Sequence, residues 1–375
     1  MEVIQVVDHQ QQQAFLDVAR IVYRKDPIWV CPLDTDIKSV FDRDTNPFYL
    51  HGEANRWILK NDKGELIGRI AAFINEKKAN YKGNRYGGIG FFECIDDTPA
   101  AQLLFDTAVE WLLERKVTHA EAPINFAEND QFWGLLVEGF TQPSYGMAYN
   151  PSYYQALFES YGFHKKLEQI TNEFNLEKGL SPRFVKIAKY VKERRTNVTT
   201  ECIDLKQIDK YATDFLSIYN SAWKEFDNFT PITKEYVMET MRKIEPILDP
   251  GIVRFAYVNG DPAAFVLCLP DVNQIFKRFR GKLNLWNKLR FLILKKMKII
   301  TKVRVVVMGS KPEYQRMGLE SVLTYENFNH VMENTKVRDI ELSWVGDFNE
   351  KMLAIHKGLG AEPSKKHYTY EKEIA

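Results

Sequence analysis

The segment best suited to chemistry is the run Val303-Arg304-Val305-Val306-Val307-Met308 followed by Gly309-Ser310-Lys311-Pro312-Glu313-Tyr314-Gln315-Arg316-Met317-Gly318-Leu319-Glu320. The apolar run predicts a strand, the polar stretch a tight loop, and Leu319, Val322, Leu323, Val331 and Met332 at helical spacing a helix after it. The first amides of such a helix lack intrahelical partners and its dipole is positive there, so the segment can bind an anion. Gly318 would let a phosphate approach the backbone, and Arg316 adds a mobile positive charge. An ordinary strand-to-helix connection is the alternative reading of one glycine and one arginine. Farther on, Glu341 and Ser343 alternate on another predicted strand and share a face. Asp271, Asn273 and Gln274 form a polar cluster after a strand, where substrate contacts and plain turn chemistry are both open.

These residues must be positioned by elements that recur. Arg56–Gly64 with Leu66–Phe73, and Arg254–Asp261 with Ala263–Leu267, read as two hairpins whose glycines, Gly64 and Gly260, are 196 positions apart. Two helix ends stopped by glycine, Gly162 and Gly360, are 198 positions apart. Each half then runs through helical residues (14–23; 208–223), the hairpin, a strand (89–94; 303–308), a long helix, a strand (120–124; 340–345) and a last helix. Insertions fall around 126–147 in the first half and 274–302 in the second. The expectation is a mixed α/β fold in two related domains, 1–180 and 201–375, each a mixed sheet with helices on both faces, joined by a linker at 181–200.

The 375 residues carry 51 Lys+Arg against 50 Asp+Glu, a net charge of +1 that gives no global reason to expect nucleic acid. Four scattered cysteines without a CxxC pair make a metal site or disulfide framework a poor expectation. No signal-like start and no apolar run of about 20 residues is present, which predicts a cytoplasmic protein, with peripheral contact at the inner face of the membrane as a further expectation.

The stretch Lys311 to Leu319 resembles the pyrophosphate loop of the GNAT superfamily of acyl-CoA N-acyltransferases, with Gln315 and Gly318 at pattern positions. Glu320 departs from the pattern's final small residue. Glu341 to Asn349, and the helix that ends at Leu359-Gly360, resemble the superfamily's next strand and final helix. The first half resembles a degenerate copy without the loop: its long helix follows Asp96-Asp97, whose charges would repel a phosphate. Across the chain, Asp26 to Val30, Asn46-Pro47-Phe48, Tyr219 to Trp223, Pro231-Ile232-Thr233 and Leu269 to Gln274 resemble a group of long bacterial double-GNAT-like proteins that includes ceramide synthases. The resemblance implies acyl-CoA or acetyl-CoA as co-substrate, no metal, and a primary amine as acceptor.

It also implies roles. Met308, Gly309, Ser310, Gln315, Arg316, Met317, Gly318, Leu319, Glu320 and Asn349 would contact the CoA, although helix capping alone explains Asn349. Glu341 is the candidate base, with Ser343 beside it; the competing reading is a partly exposed strand carboxylate paired with Lys or Arg. His356 stands where many relatives carry a tyrosine that protonates the leaving thiolate; an exposed helix histidine is the competing reading. Asp271 and Asn273 are candidate substrate contacts. The segment Lys277 to Arg304 contains eleven Lys and Arg, no Asp or Glu, and interleaved Phe279, Leu285, Trp286, Leu289 and Phe291. It suits an anionic membrane surface or an acyl carrier protein, with CoA phosphates or a solvated basic helix as alternatives. Three functions remain: long-chain acyl transfer to an amino-lipid, acetyl transfer to a small or peptidyl amine, and acyl-CoA or lipid binding without catalysis.

Overall fold

Ile67, Ile70, Phe73 and Ile74 are buried on both faces of the strand Leu66–Asn75, the pattern of a central strand that helices cover on each side. The computed structural model describes residues 1–127, 131–224 and 231–375. The chain divides into two compact units, one of Met1–Ile170, Ile275–Leu292 and Ser364–Ala375, the other of Thr171–Gln274 and Ile293–Pro363.

In the first unit the strand order is Glu2–Gln5, Gly52–Lys60, Leu66–Asn75, Asn84–Cys94 and His119–Ala122. Residues 370–373 of the chain's last strand, Glu362–Glu373, then pair antiparallel with His119–Ala122. Asp8 starts the helix His9–Val22 with a capping box, accepting from Gln11 N at 2.8 Å while Gln11 Oε1 accepts from Asp8 N at 3.0 Å. Phe15 and Val18 of that helix pack on Ile58. The helix Thr98–Leu113 supplies Leu104 and Phe105 to a separate core that contains Ile70 and Ile89.

The second unit repeats this order with Val198–Cys202, Val253–Val258, Asp261–Pro270, Lys302–Ser310 and Asp339–Gly346, followed by the end of His164–Asn175. Helices Ile208–Ala222 and Lys234–Ile244 bury Tyr211, Ile218 and Val237 with Phe255 and Phe265. Leu319 and Leu323 of the helix Leu319–Asn334 belong to a separate core with Ala264 and Val266. The repeat extends to backbone conformation: Gly64 and Gly260 have φ of 76° and 84°, and Gly162 and Gly360 have 93° and 87°. All four lie in the left-handed region that the turns and helix ends require.

Three boundaries differ from the sequence reading. Residues 181–200 are no linker: Pro182–Arg194 is a helix whose Ala188 and Val191 pack on Val322, because its apolar residues recur at helical spacing. Residues 364–375 belong to the first unit through their strand pairing. The basic insertion joins the first unit as far as Leu292, where Phe276 meets Tyr145 and Phe291. Of the insertion at 126–147, residues 128–130 lie outside the described residues.

In the first unit, the strands Asn84–Cys94 and His119–Ala122 pair in parallel only over Tyr86–Gly88 and His119–Glu121. The chain after Ala122 fills the place beside them, with Ile124 N donating to Ile89 O at 2.9 Å and the Ile124 carbonyl against Gly90. A Cβ at Gly90 would strike that backbone oxygen, which cannot swing away as a side chain could. Gly90→Val is therefore expected to destabilise the chain by about 2–3 kcal/mol. Gly358→Ala, at a helical position with open space around it, should stabilise it by about 0.5–1 kcal/mol. Urea unfolding of both variants checks the pair of signs.

Candidate functional site

The site begins with a strand pair that parts. Lys302–Ser310 and Asp339–Gly346 lie parallel, with register Lys302 to Asp339 through Val305 to Leu342, and both strands run on beyond that ladder. On its other edge Lys302–Ser310 pairs with Asp261–Pro270, where Leu267 opposes Val307 but Cys268 opposes Val305, so Val306 is an extra, bulged residue. The bulge changes which residues face which helix. Val303, Val305 and Met308 share a core with Leu319 and Leu323, whereas Val306 and Val307 pack with Ile218 and Phe255.

Lys311 N donates to Ala263 O at 2.9 Å. Antiparallel alternation then directs the amides of Gly309 and Val307 toward the same neighbour and those of Met308 and Ser310 away from it, toward the parted side. Gly309 is crowded differently, since a Cβ there would lie 2.5 Å from the Trp223 ring. Of the three strand residues expected to contact CoA, Met308 and Ser310 thus offer amides and Gly309 offers room for Trp223.

The loop follows directly. Pro312–Tyr314 is a turn of 3-10 helix, and Gln315 N donates to Pro312 O at 3.3 Å. Arg316 and Gly318 both have left-handed backbones, with φ of 66° and 79°. Successive amides in such a loop form a concave donor surface. Gly318 is the N-cap of Leu319–Asn334 and supplies no side-chain cap, which leaves the first amides of the helix to other acceptors. A Cβ at Gly318 would come within 2.9 Å of Ile187 and 3.0 Å of Val191. The helix misread as a linker is therefore a wall of the loop. Glu320 accepts a hydrogen bond from Ser310 Oγ at 2.5 Å, and Asp261 anchors the loop by accepting from Tyr314 Oη at 2.9 Å and pairing with Lys311 at 3.4 Å.

About 20 Å away, at the beginning of the strand by its rise per residue, is a buried polar group. Glu341 is fully buried, and its Oε1 lies 4.0 Å from Arg304 Nε, its neighbour in register. This replaces the partly exposed carboxylate of the competing reading, while its pairing with an arginine holds. Ser343, two residues on and past the ladder, has a buried Oγ with no hydrogen-bond partner among the described residues. Lys302 pairs with Glu173 at 2.5 Å; burial opposes its charge, but Glu173, Glu341 and Asp271 raise its pKa overall. Asp271 and Asn273 are joined to this end of the strand, not to the loop: Asp271 N donates to Lys302 O at 2.9 Å, and Asn273 N to Asp271 Oδ1 at 3.2 Å.

Ile340 and Leu342 pack with Ile355 and Leu359 of the helix Glu350–Leu359, so Glu341 and Ser343 point to the opposite face from that helix. His356 lies on the helix side. It is 6% exposed, and Asn172 Nδ2 meets its Nδ1 at 2.9 Å. The exposed histidine of the competing reading is thus corrected, because the helix turns this residue inward beside Asn172. Burial lowers its pKa to about 4, and the contact with Asn172 leaves Nε2 carrying the proton in the neutral ring. Asn349 caps its helix, accepting from Met352 N at 3.2 Å. Arg304, Glu173, Asn172 and Ile187 were missed from sequence; only Arg304 left a signal, a charge within an apolar strand.

No family model matches the chain. A tandem GNAT protein from the clavulanic acid biosynthesis pathway superposes with a TM-score of 0.61 at 15% identity, over 100% of this chain and 98% of its own. The chain has the tandem GNAT fold. Among curated proteins, the bacterial ceramide synthase of Caulobacter vibrioides (strain NA1000 / CB15N) is 27% identical over 379 residues, covering 100% of this chain and 98% of that protein. Protein YghO of Escherichia coli (strain K12) is also 27% identical, over 96% of this chain and 93% of its own. In the strand order, Lys302–Ser310 and Asp339–Gly346 occupy the position that Asn84–Cys94 and His119–Ala122 occupy in the first unit.

The neutral histidine has a measurable consequence. Between its ordinary value of 6.5 and its folded value of about 4, the unfolded chain binds a proton at His356 that the folded chain does not. Stability therefore falls as pH drops through that window, by about 3 kcal/mol at most from this residue. Urea midpoints measured from pH 7.5 to pH 4.5 should fall less steeply for His356→Gln than for the parent chain.

Proposed function

We propose that the second unit is an N-acyltransferase that moves an acyl group from a CoA thioester to a primary amine, with a long-chain acyl group and an amino-lipid as its pair. The parted strands carry this reading: Met308 and Ser310 turn amides toward the gap, and the buried Ser343 hydroxyl, without a hydrogen-bond partner among the described residues, stands beside it. The two polar ends of Lys302–Ser310 suit a donor whose pyrophosphate and thioester are separated by the pantetheine arm. The lipid assignment rests on the similarity to the Caulobacter ceramide synthase along 98% of its length.

In this reading the left-handed Arg316–Gly318 loop and the first amides of Leu319–Asn334 take the pyrophosphate. An aliphatic amine has a pKa of about 10 and must shed a proton to attack. That first proton leaves to solvent; as the nitrogen bonds to the thioester carbon, its second proton passes through water to Glu341. The amide of Met308, nearer than Ser310 to Glu341 along the strand, donates to the oxyanion, and that of Ser310 to the pantetheine arm. Collapse breaks the C–S bond, and the proton held by Glu341 balances the one the thiolate requires. At a pKa of about 4, His356 is neutral at physiological pH, so its role is a hydrogen-bond donor through Nε2 and not an imidazolium acid. Asp271 and Asn273 border the acceptor end. Acetyl transfer to a small or peptidyl amine is the second reading, and the Ser310–Glu320 bond at the loop favours a third, binding without turnover.

Glu341→Gln is expected to lower kcat about 10²- to 10⁴-fold with an unchanged fold and to remove the acidic limb of the pH profile. A purely structural role would leave that limb in place. Gly318→Glu should abolish acyl-CoA binding, measured by calorimetry on a variant with parental circular dichroism; retained affinity in a folded variant would sink the reading. Thiol release across acyl-CoA lengths with a sphingoid amine separates the alternatives. Long-chain preference supports the lipid pair, acetyl preference the second reading, and binding with no release the third.

A further inference from the structure

We propose that the helix Leu285–Lys296 is an interfacial anchor that lays its outer face into an anionic lipid surface. Leu285, Trp286 and Leu292 are 85%, 66% and 59% exposed, and Leu289 and Ile293 are exposed beside them. At 3.6 residues per turn these five fall within about 120° of arc. On the opposite face Asn287 and Phe291 are buried. Phe291 packs against Phe276 at 5.5 Å, and Asn287 Nδ2 donates to Lys282 O at 2.7 Å. The rotation of the helix is therefore fixed from beneath, and the apolar face is held outward.

Charge selects the occupant. Lys288 and Arg290 flank the apolar face on its two sides, and no Asp or Glu occurs from Lys277 to Arg304. A second copy would set like charges against each other. An acidic carrier protein would be met by the lysines and has no use for a tryptophan and four large aliphatic side chains between them. A bilayer with anionic headgroups uses both: acyl chains receive Leu, Ile and Trp, and phosphates receive the flanking cations. Twelve residues make a helix of about 18 Å, too short to cross and suited to lie flat. Among the described residues no helix is long and apolar enough to cross a membrane.

The inference stands apart from the acyl-transfer reading, because the helix contains none of the residues assigned to that chemistry. The test is co-sedimentation of the full chain with phosphatidylcholine vesicles, with and without phosphatidylglycerol. Retention only on the phosphatidylglycerol vesicles, weakened by salt, is expected. Trp286→Glu should lower partitioning about tenfold or more and Lys288→Gln should weaken it less, with circular dichroism and thiol release from a water-soluble amine unchanged. Trp286 emission should shift to the blue on the vesicles, a shift absent in Trp286→Phe. Absence of binding to anionic vesicles at low salt, equal binding by Trp286→Glu, or capture by an acyl carrier protein in place of vesicles would each overturn the proposal.

Discussion

Beyond Val305 and Leu342, the strands Lys302–Ser310 and Asp339–Gly346 no longer bond to each other, and backbone groups of a buried strand need partners from somewhere. The bulge at Val306 and the alternation fixed by Lys311 aim Met308 and Ser310 into that gap. The helix Leu319–Asn334 must start where the strand ends, which brings its first amides to the same opening. Arg304 and Glu341 close the other end as an opposed, buried pair, and their opposite charges offset part of the cost of removing them from water. One interrupted ladder thus sets both ends of the candidate site.

The first unit shows what the same architecture does when the interruption is filled. Its parallel ladder also stops early, but Ile124 bonds to Ile89 and occupies the place against Gly90. At the start of its long helix, Asp97 accepts from Ala100 N at 2.8 Å, so a carboxylate already holds an amide that a phosphate would need. The two changes act together: one satisfies the strand backbone and the other the helix terminus. Both make the unit self-sufficient.

Much of this was legible from local rules. Gly64 and Gly260 sit in polar turns between alternating strands, and Gly162 and Gly360 end helices; φ at these positions is a local demand that sequence records directly. The loop from Lys311 to Leu319 was legible for the same reason. Residues 182–194 were not, because the pattern marks them as helical only when their period is weighed above Pro182 and the basic run at their end. The assignment of residues 364–375 to the first unit was also hidden, since strand order is a non-local choice among edges of similar polarity. Burial of His356, which overturns the exposed-histidine alternative, depends on Asn172, a partner 184 residues away.

Glu320 links the helix N-terminus to the strand before it through Ser310. It occupies the second position of Leu319–Asn334, where a negative charge gains about 0.3–1 kcal/mol from the helix dipole, and it also accepts from Ser310 Oγ at 2.5 Å. The ligand-free loop is stabilised by that carboxylate, and an incoming phosphate must share the same positive end with it. Arg316, whose left-handed backbone places it at the turn just before Gly318, supplies a cation that can offset the repulsion. In the proposed reading, affinity for a CoA donor would come less from the diphosphate than from the gap between the strands, where Met308, Ser310 and Ser343 would meet the arm and the thioester. Under that proposal, such a loop would favour donors that carry binding energy in the acyl chain and pantetheine over those held mainly by their phosphates.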